Sequence, residues 1–297
     1  MNTLTLNSEH PHSFLLQLFR IVKYPVVILL NLTFLLLANE HSVPFSAISV
    51  PMVLSSIALL ILLEQIDINR MDWQHTAREW LTELMYFSQN AITGPIAKTG
   101  LIAVLALFGG IWENNIPFGL QLVLVLLLID FTGYLMHRAY HDISWLWPIH
   151  AIHHAPSKVN VFNNNIAHFL NIFLGTIAQL LPVYLLGFST EVILIATTMS
   201  TIHSFMIHSN SPMTFGPIGK VLITPAHHWL HHSVNSEEAG NHATMFTFWD
   251  RLGGTYVSPR HGMPEKVGLF QGSQVSKSFI GQVLHPFIEI GKVLKKG

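Results

Sequence analysis

Apolar residues run along this chain in six long blocks, at about 24–38, 47–63, 99–112, 118–136, 169–187 and 191–207, parted by polar stretches. Each block reads as a helix, because a run such as FGLQLVLVLLLIDFTGYLM approaches the ~20 residues needed to cross a bilayer. The first and third blocks are short for a crossing and would have to tilt, re-enter or extend into their flanks. The polar stretch NRMDWQHTAREWLTELMYFSQN, ahead of the third block, is expected along the membrane interface with its tryptophans at headgroup level. After residue 207 the sequence becomes polar and Gly/Pro-containing, as suits a region closing over one end of the bundle. The expected fold is all-α: a polytopic membrane helical bundle over residues 1–207 with a histidine-rich cytoplasmic cap, whose last part is residues 208–297.

Composition agrees with a membrane setting. Half of the residues are hydrophobic and only 10% are charged, against roughly a quarter charged in soluble domains. A net charge of -1 gives no electrostatic support for nucleic-acid binding. With no cysteine at all, disulfides, thiolate metal sites and a cysteine nucleophile are excluded. The first twenty residues lack the pattern of a signal peptide. If the chain starts in the cytoplasm and crosses six times, all 15 Lys and Arg fall on the inner side, as the positive-inside rule requires. Both termini are then cytoplasmic.

Histidine changes the picture. Of 19 histidines, most lie between His137 and His242. HRAYH places His137 and His141 four apart at the end of an apolar helix, on one face. HAIHH places His150 three and four positions before His153 and His154, with Pro148 suited to a helix start and Pro156 to a stop. TPAHHWLHH repeats that spacing in His228, His231 and His232, with Thr224 as N-cap and Pro225 at the first helical position. Solvent-exposed imidazoles without metal would titrate near neutrality and repel one another. The loops assigned inside from Lys and Arg contain all three motifs. Eight imidazoles exceed the needs of one ion, so two metals are the natural count, and imidazole suits iron, zinc and copper alike. No His-Glu-x-x-His motif occurs.

These motifs resemble the histidine boxes of the membrane-bound fatty acid hydroxylase and sterol desaturase superfamily, the non-haem di-iron enzymes. The likeness runs from about Asp130 to Tyr256 and includes HSN at His208–Asn210 and WDRLGGTY at Trp249–Tyr256. It implies two irons, with zinc as a substitute in purified protein, dioxygen, and a lipid substrate that is hydroxylated or desaturated. It also implies iron ligation by His137, His141, His150, His153, His154, His228, His231 and His232, with His208 as a ninth ligand. His203 is left undecided, His227 is expected to point away, and His168 and His242 are read as outer hydrogen-bond donors or polar surface. The chain departs from the family pattern at Gly253, where Phe is usual, at Asn241–Ala243, and in NNNIAHF, which lacks an arginine.

Other polar residues carry weaker expectations. Asp130, inside an apolar helix, is read either as an anchor for a histidine of another box or as a helix–helix hydrogen bond. Asp250 and Arg251 are expected in a structural pair or an outer contact. Trp145 and Trp147 are expected as interface anchors, and His261 as a histidine without a metal role. No dinucleotide fingerprint is present, so electrons must come from an external cytochrome or ferredoxin-type donor. A metal transporter would need polar residues near mid-span, and a zinc hydrolase would need a general base that the sequence does not offer.

Overall fold

A computed structural model of the chain describes residues 14–74, 76–107, 115–213, 215–259, 263–270 and 273–295. Ten α-helices follow in order: α1 Phe14–Glu40, α2 Phe45–Ile66, α3 Ala77–Leu107, α4 Phe118–Asp142, α5 Trp147–His154, α6 Phe169–Leu185, α7 Thr190–Ile207, α8 Pro225–His231, α9 Thr247–Gly253 and α10 Phe279–Leu294. Among the described residues, extended pairing is limited to two isolated bridges, Leu222 with Phe246 and Ser233 with Val267. The all-α expectation is borne out.

Helices α1, α2, α3, α4 and α7 are long and apolar enough to cross a membrane, while α6, with 17 residues, is apolar but shorter. The two short blocks gain length from their flanks. The first becomes part of α1, described from Phe14, and residues 99–107 of the third become the end of α3, while 108–112 lie outside the described residues.

This corrects the expected interfacial segment, most of which is the first half of α3. Nothing from Ala77 to Thr93 breaks a helix, and a capping box starts it. Glu79 accepts from the Thr76 N–H at 2.6 Å, while the Glu79 N–H points back to the Thr76 hydroxyl at 3.4 Å. Trp73 is not presented to lipid; it is buried with its ring 6.1 Å from that of Trp229. Lys98 lies within α3 and so no longer counts among the loop cations.

Helix α4 packs against α6 and α7, and α2 packs against α1 and α7. Val125 and Ile129 of α4 meet Leu180 and Val183 of α6 and Val192, Ile193 and Ala196 of α7 in one apolar cluster. Lys23 locks α1 to the rest. Although fully buried, it donates to Asp67 at 2.6 Å, to Ser211 at 2.5 Å and to the Pro212 carbonyl at 3.1 Å, while Arg20 makes two 3.0 Å bonds to Asp67. A buried charge is tolerable only when paired and hydrogen-bonded in this way.

The cap is built from the connection between α4 and α6 and from the chain after α7. Pro148 stands at the start of α5 as expected. Thr224 caps α8 with Pro225 in its first turn, and the His227 ring completes a reciprocal cap by accepting the Thr224 N–H at 3.2 Å.

Candidate metal centre

Four helix ends deliver nine histidines to one place. His137 and His141 project from the last turns of α4; His150, His153 and His154 come from α5; His228, His231 and His232 come from α8 and its C-cap; His208 is the C-cap of α7. They form two groups, His137, His141, His150, His154 and His231 in one and His153, His208, His228 and His232 in the other, each able to hold a metal ion. Within each group one nitrogen per residue lies within 4.8 Å of all the others. The groups adjoin, for the His154 and His232 rings are 4.4 Å apart.

Hydrogen bonds fix which nitrogen faces inward. The Nδ1 atoms of His137, His153 and His231 lie 2.6, 3.0 and 2.8 Å from the carbonyls of His242, Ile166 and Gly240. A carbonyl can only accept, so each ring holds its proton on Nδ1 and keeps a bare Nε2. His208 Nδ1 meets Asn163 Oδ1 at 3.1 Å, and that oxygen also accepts from the Asn160 N–H, so it is an acceptor as well. His150 Nδ1 meets Asn171 Oδ1 at 2.8 Å. This is the outer arrangement that orients metal-bound imidazoles.

The consequence appears between rings. His137 and His150 bring Nε2 atoms within 2.9 Å, and His153 and His208 within 3.3 Å. Two lone pairs at that separation repel unless a cation is shared between them. His141 Nε2, both nitrogens of His154, His228 Nδ1 and His231 Nε2 are buried with no hydrogen-bond partner, and each such atom costs about 1–3 kcal/mol if nothing binds it. A pair of cations satisfies these atoms, so the residues present fit a two-metal site.

Burial also sets the protonation state. It pushes His150, His154, His208, His228, His231 and His232 well below 6.5, with neighbouring imidazoles adding to the effect, and it lowers His153 to about 4. These rings are neutral donors at neutral pH, which answers the expectation that unmetallated imidazoles would titrate near 7.

The other described histidines stand outside both groups. His203 Nε2 donates to the Ile223 carbonyl at 3.0 Å, and His227, turned away as expected, meets Thr224 and Tyr256. His168 caps α6, accepting from Leu170 N–H while its Nε2 donates to the Val283 carbonyl at 3.0 Å. His242 borders the first group with its ring 4.9 Å from that of His141, and its backbone carbonyl holds His137. His261 lies outside the described residues.

Two side chains act otherwise than expected. Asp130 binds no histidine and no neighbouring helix; its carboxylate accepts from the backbone N–H groups of Thr244, Met245 and Phe246 at 2.8–3.1 Å. Trp147 is not an interface anchor, because its ring lies 5.2 Å from that of His141 and 5.5 Å from that of His154, backed by Phe270. Asp250 makes the outer contact, accepting from the N–H groups of His242 and Ala243, while Arg251 lies over the Tyr256 ring at 3.7 Å. Asn163 and Asn171 were missed by sequence reasoning; the asparagine run near the second box was the available signal for the first. Nothing in the sequence pointed to Phe270.

A cavity of about 400 Å³ opens beside the centre. His137, His150, His153 and His228 contribute to its wall, and Gly133, Gly175 and Gln179 carry it upward between α4 and α6. A second cavity, about 270 Å³ and lined almost wholly by apolar residues, touches none of the nine.

Comparison with known proteins follows the same region. Residues 122–255 match the fatty acid hydroxylase family model. Over 251 residues the chain is 27% identical to the ornithine lipid hydroxylase OlsE of Rhizobium tropici, covering 80% of this chain and 75% of that one. It is 29% identical over 178 residues to the alkylglycerol monooxygenase of Caenorhabditis elegans, covering 57% of this chain but 35% of the longer relative. It is 27% identical over 149 residues to the Delta(7)-sterol 5(6)-desaturase of Eremothecium gossypii, covering 50% and 41%. No solved structure gives a significant match.

Proposed function

We propose that this chain, whose residues 122–255 match the fatty acid hydroxylase family model, is a membrane-bound di-iron oxidoreductase that hydroxylates or desaturates a C–H bond of a lipid. The observation that carries this reading is the pairing of a five-histidine and a four-histidine group at one end of a helical membrane bundle. When bound, two irons supply the redox chemistry that activates dioxygen against an unactivated C–H bond.

The chain's own residues hold and shield that chemistry. The nine histidines are the ligands in this reading. His242, Gly240, Ile166, Asn163 and Asn171 keep the ligating nitrogens bare and aimed inward. Trp147 and Phe270 close one side of the first group against water. The cavity between α4 and α6 admits the lipid and brings its reacting carbon to the seam of the two groups. Asp142 is held by Arg138, and Asp130 and Asp250 by backbone N–H groups, which disfavours a hydrolase with any of these three as carboxylate base.

The same reading puts the cap and both termini on the cytoplasmic side, supported by the inner concentration of Lys and Arg, with the division between bundle and cap near residue 207. An external cytochrome or ferredoxin-type protein delivers the electrons. The test is metal and turnover together. Purified protein should hold two irons per chain, consume dioxygen with a reductant, and convert a lipid extract to products one oxygen heavier or two hydrogens lighter. Stoichiometric zinc with no redox turnover after iron loading overturns it.

A further inference from the structure

Helix α10 has two apolar sides, and the chain covers only one. Inward, Phe279 packs on Tyr86 with ring centroids 5.0 Å apart, and the Tyr86 hydroxyl donates to Gln282 at 2.7 Å. Outward, Ile280 at 71%, Leu284 at 49%, Phe287 at 54%, Ile288 at 53% and Leu294 at 69% stand exposed. At 100° per residue these five fall within an arc about 120° wide. An exposed stripe of this kind marks an interaction surface.

The level of α10 in the molecule identifies what covers it. His168, at the start of the apolar helix α6, donates to the Val283 carbonyl, and the rings of Phe169 and Phe287 lie 6.3 Å apart. Ile290 packs on the cluster of Tyr140, Leu146 and Ile149, on which Leu170 and Leu174 from the start of α6 and Met136 from the end of α4 also pack. Thus α10 lies where the bundle enters the bilayer, across the α4–α6 seam that forms one wall of the histidine cavity. Lys292 and Lys295 are exposed at its C-terminal end, suited to lipid phosphates.

We propose that α10 is an in-plane membrane helix, its Ile280–Leu294 stripe seated among the upper acyl chains of the leaflet beside the cap and its lysines at the headgroups. Such helices bind through apolar area and attraction to anionic lipid. A second copy of this chain is the competing occupant, but a stripe continuous with lipid-facing helices and ending in lysines suits lipid better than itself.

The chain has no cysteine, so single-cysteine variants carry a fluorophore without background. Leu284→Cys and Ile288→Cys are made in the full chain and reconstituted in phosphatidylcholine/phosphatidylglycerol vesicles. Leu29→Cys, on the exposed side of α1, is the bilayer reference, and Asn235→Cys, exposed in the cap, is the aqueous one. Nitroxide-labelled lipid should quench 284 and 288 at least half as strongly as 29, more from a nitroxide near the headgroup than from one near the chain end. Iodide should quench 235 alone. Iodide quenching of 284 and 288 matching that of 235 overturns the proposal, and so does protection from both quenchers, the result that a covering protein copy produces.

Discussion

Asp130 accepts the backbone N–H of Met245 at 2.8 Å, although the two residues belong to a membrane helix and to the loop after the third histidine box. The bonds from Thr244 and Phe246 make this carboxylate the socket for that loop. The loop's own His242 carbonyl fixes the His137 ring, so an acidic side chain inside the bundle sets the orientation of an imidazole it never touches. Asp130→Asn places an amide N–H against at least one of these donors. It should cost about 1–3 kcal/mol of stability and reduce bound metal, read by thermal unfolding and metal analysis.

His153 and His231 belong to different groups. Changing either to alanine should lower activity more than ~100-fold and reduce bound metal, whereas His41→Ala, exposed at the end of α1, should leave both unchanged. Equal effects from all three would remove the basis for the two-group centre.

Asn171→Leu keeps every histidine but removes the acceptor that holds His150 Nδ1. Metal affinity should fall by about 10–100-fold while the helical circular dichroism remains. Competition with a chelator of known affinity measures it.

Gly253 shows why this chain departs from the usual Phe. A Cβ there would lie 1.8 Å from the Tyr134 hydroxyl and 3.0 Å from an Arg138 nitrogen, and Arg138 already donates to the Gly253 carbonyl. Gly253→Ala should destabilise by about 1–3 kcal/mol. Adding Tyr134→Phe, which removes the nearest atom, should recover part of the loss in denaturant unfolding.

The metal-free protein should weaken in mild acid. Burial holds its cap imidazoles below 6.5 in the folded state, His153 at about 4. The unfolded chain therefore binds more protons as pH falls through 6.5, and stability present above that pH is progressively lost toward about 4. Unfolding midpoints of chelator-treated protein between pH 7.5 and 5 check the sign. Metal-loaded protein should show a slope at least as steep, because bound cations keep the folded-state imidazoles unprotonated while the unfolded chain still takes up protons.

The sequence by itself determined the helical bundle and the histidines available to the candidate centre, for physical reasons that act locally. Long apolar runs have one stable solution in lipid, the hydrogen-bonded helix. Spacings of three and four put His137 with His141, and His228 with His232, on one side of a helix before any tertiary contact forms. The extent of α3 was less legible, since polarity argued for the interface while the Thr76–Glu79 cap and an unbroken helical run carried the helix through. Only the tertiary structure decided how the boxes divide. His153 parts from its neighbours His150 and His154 to join His208, and His231 parts from His228 and His232 to join α4. That division depends on how α5 and α8 dock against the ends of α4 and α7. The role of Asp130 was hidden for the same reason, because its partners are backbone amides more than a hundred positions away, and an amide leaves no trace in the identity of the residue that bears it.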